Sequence, residues 1–331
     1  HPNGRIATLF STFFLNLWIT FVTDAQTRQK EQEGYKMEWK KGVRTDLAVE
    51  ALELGEETDG AALPGMRHRA FERCGIPVTE VEILDNDAAQ RLGKPIGHYL
   101  TLTLGELPGR MGDTFERTVQ AVTETLMELL PQGDSSPALV IGLGNRNITP
   151  DAVGPIAIDH TLATRHLITQ APEYFGQWRP VAAVHTGVVG STGVESAELI
   201  QALAREIKPA VVIAVDALAA RSAARLGKTI QIADTGIIPG SGVGNARAAL
   251  NQDTLGIPVI AMGVPTVVDA GTLVAELTGR ERTGQEELER MMVTPREVDT
   301  VVTDIGRVTG CAISLALQEG LALADLELLL S

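Results

Sequence analysis

Between residues 137 and 263 the chain repeats one pattern, a short and almost wholly apolar run followed by a stretch with helical spacing or a polar loop. The runs are PALVIGLG (137–144), RPVAAVHTG (179–187), PAVVIAVDA (209–217), TIQIAD (229–234) and IPVIAMG (257–263). Such runs, rich in Val and Ile and bounded by Gly, Pro or polar residues, read as strands buried on both faces. Helix-like stretches lie at 151–168, 194–207 and 266–278. Ahead of this series VTEVEIL (78–84) and HYLTLTL (98–104) read as strands, and DTFERTVQAVTETLMELL (113–130) has helical period. Strands alternating with helices predict an α/β fold, a mostly parallel sheet with helices on both faces and right-handed crossovers. In such sheets chemistry gathers at the carboxyl ends of the strands.

The N-terminal part departs from this pattern. IATLFSTFFLNLWITFV (6–22) is apolar enough for a signal h-region or a short membrane span, yet it carries Ser11, Thr12, Asn16 and Thr20 and is short for a helical crossing. A polar stretch separates it from Met37. Two readings stand: residues 1–36 are an extension that is not native, with Met37 as the true start, or they are a targeting segment. After Met37 there is no repeat, low-complexity tract or linker, so residues 47–331 are expected to form one domain with no membrane-spanning part.

Composition narrows the classes. Of 331 residues 44% are apolar, which supports a sizeable core. With 28 basic against 42 acidic side chains the formal charge is −14, which repels a polyphosphate backbone and argues against direct nucleic-acid binding. Cys74 and Cys311 match no metal or redox spacing and read as reduced, packed thiols in a reducing, cytoplasmic compartment.

Several motifs carry little. GLGNRN (142–147) lacks the third glycine of a dinucleotide loop and reads as a tight turn. PGSGVGN (239–245) has neither nucleophile-elbow nor phosphate-loop spacing; it is a glycine-rich loop that, near the strand ends, would bring Ser241 and Asn245 to line a site. The histidines form no metal-binding cluster, and His185, ending a core run, is kept as a site-lining candidate. Asp234 opens a single DTG tripeptide; pepsin-like enzymes need two copies in an all-β fold, so here it reads as a turn bordering the site.

A pair of carboxylates is stronger. In NITPDAVGP, Thr149 suits an N-cap and Pro150 the first helical position, which puts Asp151 in the first turn of a helix. Asp216 ends the run VVIAVD. Both fall at strand carboxyl ends. Two nearby carboxylates do not both ionise easily, so one keeps a proton and the pair offers an acid and a base for amide hydrolysis. The alternative is that each only caps its element.

Taken together, VIGLGNRNITPDAVGP, VVIAVDALAARS, TIQIADTGIIPGSGVGN, IPVIAMGVPTVVDA and the later VTPREVDTVV closely resemble the germination proteases of endospore-forming bacteria, over about residues 43–318. The resemblance implies an atypical aspartic endopeptidase that degrades small acid-soluble spore proteins during germination, in the spore core. It also implies a fold similar to that of hydrogenase-maturation proteases, a homotetramer, no metal or organic cofactor, and Asp151 and Asp216 as the catalytic pair. The chain departs from the family at Arg146, where an aromatic residue is expected, and at His185, where a small one is.

The segment VRTDLAVEAL (43–52) resembles the family's substrate consensus, in which a hydroxyl residue and an acid precede the scissile bond and an apolar residue, Ala and a further acid lie nearby. Thr45, Asp46, Leu47, Ala48 and Glu50 reproduce that order. The resemblance then implies a zymogen in which residues 37–46 are a prosegment, cut between Asp46 and Leu47. Two other classes stay open: a metal-dependent maturation protease of the related fold, which His185 would serve, and a non-catalytic scaffold.

Overall fold

The computed structural model describes residues 45–330 apart from 60–63, 106–108, 110–111, 132, 134–135, 245, 280–287 and 289–290. The apolar run 6–22 and the expected prosegment up to Arg44 lie outside the described residues.

One nine-stranded sheet organises the chain. Its strands are β1 (Met66–Arg73), β2 (Ile76–Ile83), β3 (Gly97–Thr103), β4 (Ala138–Gly142), β5 (Val181–His185), β6 (Val211–Ala220), β7 (Thr229–Ala233), β8 (Val259–Asp269) and β9 (Met292–Val293). The spatial order is β1-β2-β3-β7-β8-β6-β4-β5, with β9 beside β8. Pairing is parallel from β5 through β4 and β6 to β8. From β8 through β7, β3 and β2 to β1 it is antiparallel, so the parallel pairing of the expected, mostly parallel sheet lies in one half. At the outer end Cys74 and Gly75, both at positive φ, form a two-residue turn that folds β1 back on β2.

Among the described residues the helices of seven or more residues are α1 (Ala48–Asp59), α2 (Asn86–Leu92), α3 (Asp113–Leu129), α4 (Val153–Asp159), α5 (Ser196–Ile207), α6 (Ala270–Thr278), α7 (Val298–Leu317) and α8 (Leu323–Leu330). They cover both faces. Along β6, Val211, Ile213 and Val215 join Val119 and Val122 of α3, Val153 and Ala157 of α4 and Val302 and Ile305 of α7 in one core. The alternate residues Val212 and Ala214 pack with Ile200 and Leu203 of α5 on the other side. That alternation is why these runs are apolar throughout. Helix α7 has the length and composition of a membrane crossing, but it is mostly buried inside the protein. At the outer edge β1, MRHRAFER, is mostly exposed; Arg69 pairs with Glu80 of β2 and Arg73 with Glu128 of α3, and both guanidinium groups lie over the ring of Phe71.

Candidate active site

Strand β4 stops at Gly142 and α4 crosses directly over the ends of β4 and β6. A side chain at Gly154 would lie 2.3 Å from the carbonyl oxygen of Leu143 and 2.6 Å from that of Val215, and one at Gly142 would lie 2.4 Å from the oxygen of Gly154. Two glycines facing each other let helix and sheet touch backbone to backbone. The linking turn is held as tightly. Gly144 has φ of +101°, and a Cβ there would meet the carbonyl oxygen of Asp151 at 2.1 Å.

Asp151 is therefore not in the first turn of an α-helix, as the spacing predicts. Thr149–Asp151 is a 3-10 turn entered from Ile148, with no side-chain cap at either Ile148 or Ala152. The Asn145 amide donates both to the Asp151 carboxylate, at 2.8 Å, and to its carbonyl, at 3.1 Å. This turn is tied down from β8. One extra residue, Thr266, sits between the pairs Leu218–Pro265 and Ala219–Val267, and its hydroxyl donates to the Pro150 carbonyl at 2.7 Å. Nothing in the apolar pattern announces that bulge.

Asp216, on the neighbouring strand, is only 5% exposed. Its carboxylate accepts the Ala217 amide at 2.9 Å. Burial pushes its pKa well above the usual carboxylate range, and the negative charge of Asp151 beside it pushes further, with a smaller contribution from Asp46. Asp151, half-buried, is also raised by burial, against which the Asn145 amide stabilises its charged form. The two groups thus form an asymmetric pair: both are raised, and the fully buried Asp216, which also feels the charge of Asp151, is raised well above the usual range.

A third carboxylate reaches the same strand. The Asp46 amide donates to the carbonyl of Ala219 at 2.9 Å, and the Ala219 amide returns a 2.9 Å bond to Asp46 Oδ2. Ser241 Oγ donates to Asp46 Oδ1 at 2.8 Å, and Gln231 Nε2 to the Asp46 carbonyl at 3.2 Å. Leu47 is fully buried against Leu218, Ala220, Leu226 and Val268. Glu50, also fully buried, accepts from the Thr45 hydroxyl, from the amides of Arg221 at 2.6 Å and Ser222 at 3.0 Å, and lies 3.4 Å from Arg225 Nε. Lys94 Nζ donates to the Thr45 carbonyl at 3.2 Å; burial lowers its pKa, opposed by the charges of Asp46 and Glu50. Lys94 and Glu50 have no sequence signal for these roles, because their partners, Thr45 beside Glu50 apart, lie tens to hundreds of positions away.

The other candidates are dispersed. Ser241 reaches the site through Asp46. His185 is exposed at the end of β5, level with Gly142 and separated from β6 by β4. Asp234 accepts the His98 amide at 2.8 Å at the end of β7. Because β7 runs against β8, with Gln231 opposite Gly263 and hence level with Asp216, the DTG turn points away from the ends of β4 and β6. Asn245 lies outside the described residues. Arg146 holds Asp159 through two bonds, at 2.7 and 2.8 Å, and the Pro155 carbonyl at 3.0 Å, so it braces the turn against α4. Among the described residues no group of three His, Cys, Asp or Glu side chains is arranged to hold a metal ion.

A family model described as germination protease matches residues 44–278. The chain belongs to the germination protease family. That membership makes peptide-bond hydrolysis its class of reaction. A germination protease of Clostridium tetani is 40% identical over 317 residues, covering 86% of this chain and 98% of the relative. One from Caldanaerobacter subterraneus is 40% identical over 321 residues, covering 87% and 98%. Among solved structures, a [NiFe] hydrogenase maturation protease, HycI, from Thermococcus kodakarensis aligns with 56% of this chain and 98% of its own at 16% identity, with a TM-score of 0.28. A score that low carries no argument, and the architecture stated above rests on this chain's own strand pairing.

Proposed function

We propose that the chain is an aspartic endopeptidase that degrades small acid-soluble spore proteins, with Asp151 and Asp216 as its acid–base pair. One observation carries this: a buried carboxyl group whose pKa is raised well above the usual range stands beside a half-buried one held by the Asn145 amide, Asp216 within β6 and Asp151 in the turn that follows the adjacent parallel strand β4. In the proposed reaction Asp151 takes a proton from the attacking water, while Asp216 donates one to the substrate carbonyl as the tetrahedral intermediate forms. With a formal charge of −14 the enzyme is suited to its substrates once they have left DNA. Location in the spore core and assembly as a homotetramer belong to the same reading and rest on family membership.

The test is cleavage of a purified small acid-soluble spore protein by the full chain, with and without chelator, and by Asp151→Asn and Asp216→Asn. Each variant keeps size and hydrogen-bonding capacity and removes the titrating proton, so turnover should fall by about 10²–10⁴-fold in a protein that still folds. Near-normal turnover in either folded variant defeats the assignment. Chelator-sensitive cleavage would favour the metal-dependent reading.

We further propose that the chain is a zymogen cut between Asp46 and Leu47. The order Thr45-Asp46-Leu47-Ala48-Glu50 and the seating of Asp46 on the strand that carries Asp216 support it. Intact-mass measurement during activation checks it: the mature chain should begin at Leu47, and a different start, or full activity of the untrimmed chain, removes it.

A further inference from the structure

We propose that Thr266, held in turn by Thr294, is the positioning residue of Asp151: its hydroxyl fixes the peptide unit that joins Pro150 to Asp151. The inference rests on the endopeptidase reading and adds to it the residue that aims one of the two acids.

The arrangement starts at Pro265. A proline has no amide to give to a ladder, so in a strand with neighbours on both sides it is found at a bulge rather than in regular pairing. Strand β8 lies between β7 and β6, and its register against β6 slips just after Pro265, with Leu218 opposite Pro265 and Ala219 opposite Val267. Thr266 is the surplus residue. A bulge leaves the backbone of its extra residue outside the ladder and re-aims the side chain, and both consequences are used here. The Thr266 carbonyl accepts the Thr294 hydroxyl at 2.8 Å, from the residue that follows β9. The Thr266 hydroxyl, on a residue only 1% exposed, donates to the Pro150 carbonyl at 2.7 Å.

That carbonyl belongs to the same peptide unit as the Asp151 amide, which donates to the Ile148 carbonyl at 2.8 Å. The unit is thus held at its nitrogen by the turn and at its oxygen by β8. Because a peptide unit is planar, bonds at its two edges fix its orientation and with it the direction in which Asp151 leaves the turn. The same strand also reaches the other acid. Gly263, three residues before Thr266, is the partner of Asp216 in the ladder between β8 and β6. One strand therefore touches both halves of the pair and sets the spacing between them.

Kinetics separate positioning from the mere satisfaction of a buried carbonyl. Cleavage of a purified small acid-soluble spore protein is followed for the wild type, Thr266→Ser, Thr266→Val, Thr294→Val and Asp151→Asn, all carried through the same activation. Thr266→Val keeps the branched shape and loses the hydroxyl, so kcat should fall by about ten- to a hundred-fold with KM within about two-fold of the wild type. Thr266→Ser keeps the hydroxyl and should retain kcat within about three-fold. Thr294→Val, at a half-buried position, should lower kcat by about three- to ten-fold with KM again unchanged, and it decides the matter if Thr266→Val does not fold. Under single-turnover conditions, adding Thr266→Val to Asp151→Asn should cost less than about two-fold more, because a residue acting through Asp151 has nothing left to aim. Unchanged kcat in a folded Thr266→Val or in Thr294→Val, a change in KM alone, equal losses in Thr266→Ser and Thr266→Val, or full additivity with Asp151→Asn each overturns the proposal. An impaired Asp151→Asn beside an unimpaired Thr266→Val keeps the endopeptidase reading and rejects the positioning role; a near-normal Asp151→Asn rejects the reading itself, and the role with it.

Discussion

Burial within its strand, and the charge of Asp151 beside it, raise the pKa of Asp216 well above the usual carboxylate range. Its pKa is raised in the folded chain, so the folded state binds its proton more tightly than the unfolded state does. The resulting stabilisation is fully present below the ordinary aspartate range and is lost as pH rises through the raised folded value. Asp216→Asn, which has no proton to lose, should match the wild type in melting temperature near pH 4 and exceed it near pH 8. Calorimetry at the two pH values checks this, and a difference that does not grow with pH would mean that Asp216 is not buried as described. The candidate pair was legible in the sequence for a related reason: Asp216 closes the apolar run VVIAVD, although β6 continues to Ala220, and Asp151 lies in the turn that follows β4. Asp46 was legible as a peptide motif, but its seat was not. Its partners Ala219 and Ser241 are 173 and 195 positions away, and no local periodicity encodes contacts of that separation.

The junction of β4, α4 and β6 places the pair, and its tolerance should be sharply uneven. Gly154→Ala forces a methyl group against two carbonyl oxygens and should cost about 1–3 kcal/mol or more, because backbone cannot move aside as a side chain can. Arg146→Ala, a few residues before the pair, removes an ion pair whose partners are each 46% exposed and should cost about 0–1 kcal/mol. Chemical denaturation separates the two, and equal losses would mean that the close crossing is not what fixes the turn. The strands of the core were read close to their true limits because burial on both faces leaves a continuous apolar signature. Among the differences, three have physical causes. Residues 266–269 read as the start of a helix but extend β8, since their β-branched residues satisfy either reading until the pairing with β6 and β9 decides. The helix expected over 151–168 is broken into Val153–Asp159 and Arg165–Gln170. Strand β1 was missed because MRHRAFER carries charge where a strand pattern needs alternation.

That same strand bears on how whole molecules meet. An open sheet offers unpaired backbone at its ends, and a neighbouring molecule can in principle continue the ladder. Here the terminal strand presents Arg67, His68, Arg69 and Arg73, with Arg67 at 74% and Arg69 at 61% side-chain exposure. Two copies approaching edge to edge would bring like charges together and would have to strip water from guanidinium groups already committed to Glu80, Glu82 and Glu128. Replacing Arg67 and Arg69 together with valine should leave the fold in place while light scattering at high protein concentration reports association beyond that of the wild type. On that result the cationic edge of an otherwise acidic molecule would be a solubility device, ending a nine-stranded sheet where the sheet could otherwise have gone on growing from one molecule into the next.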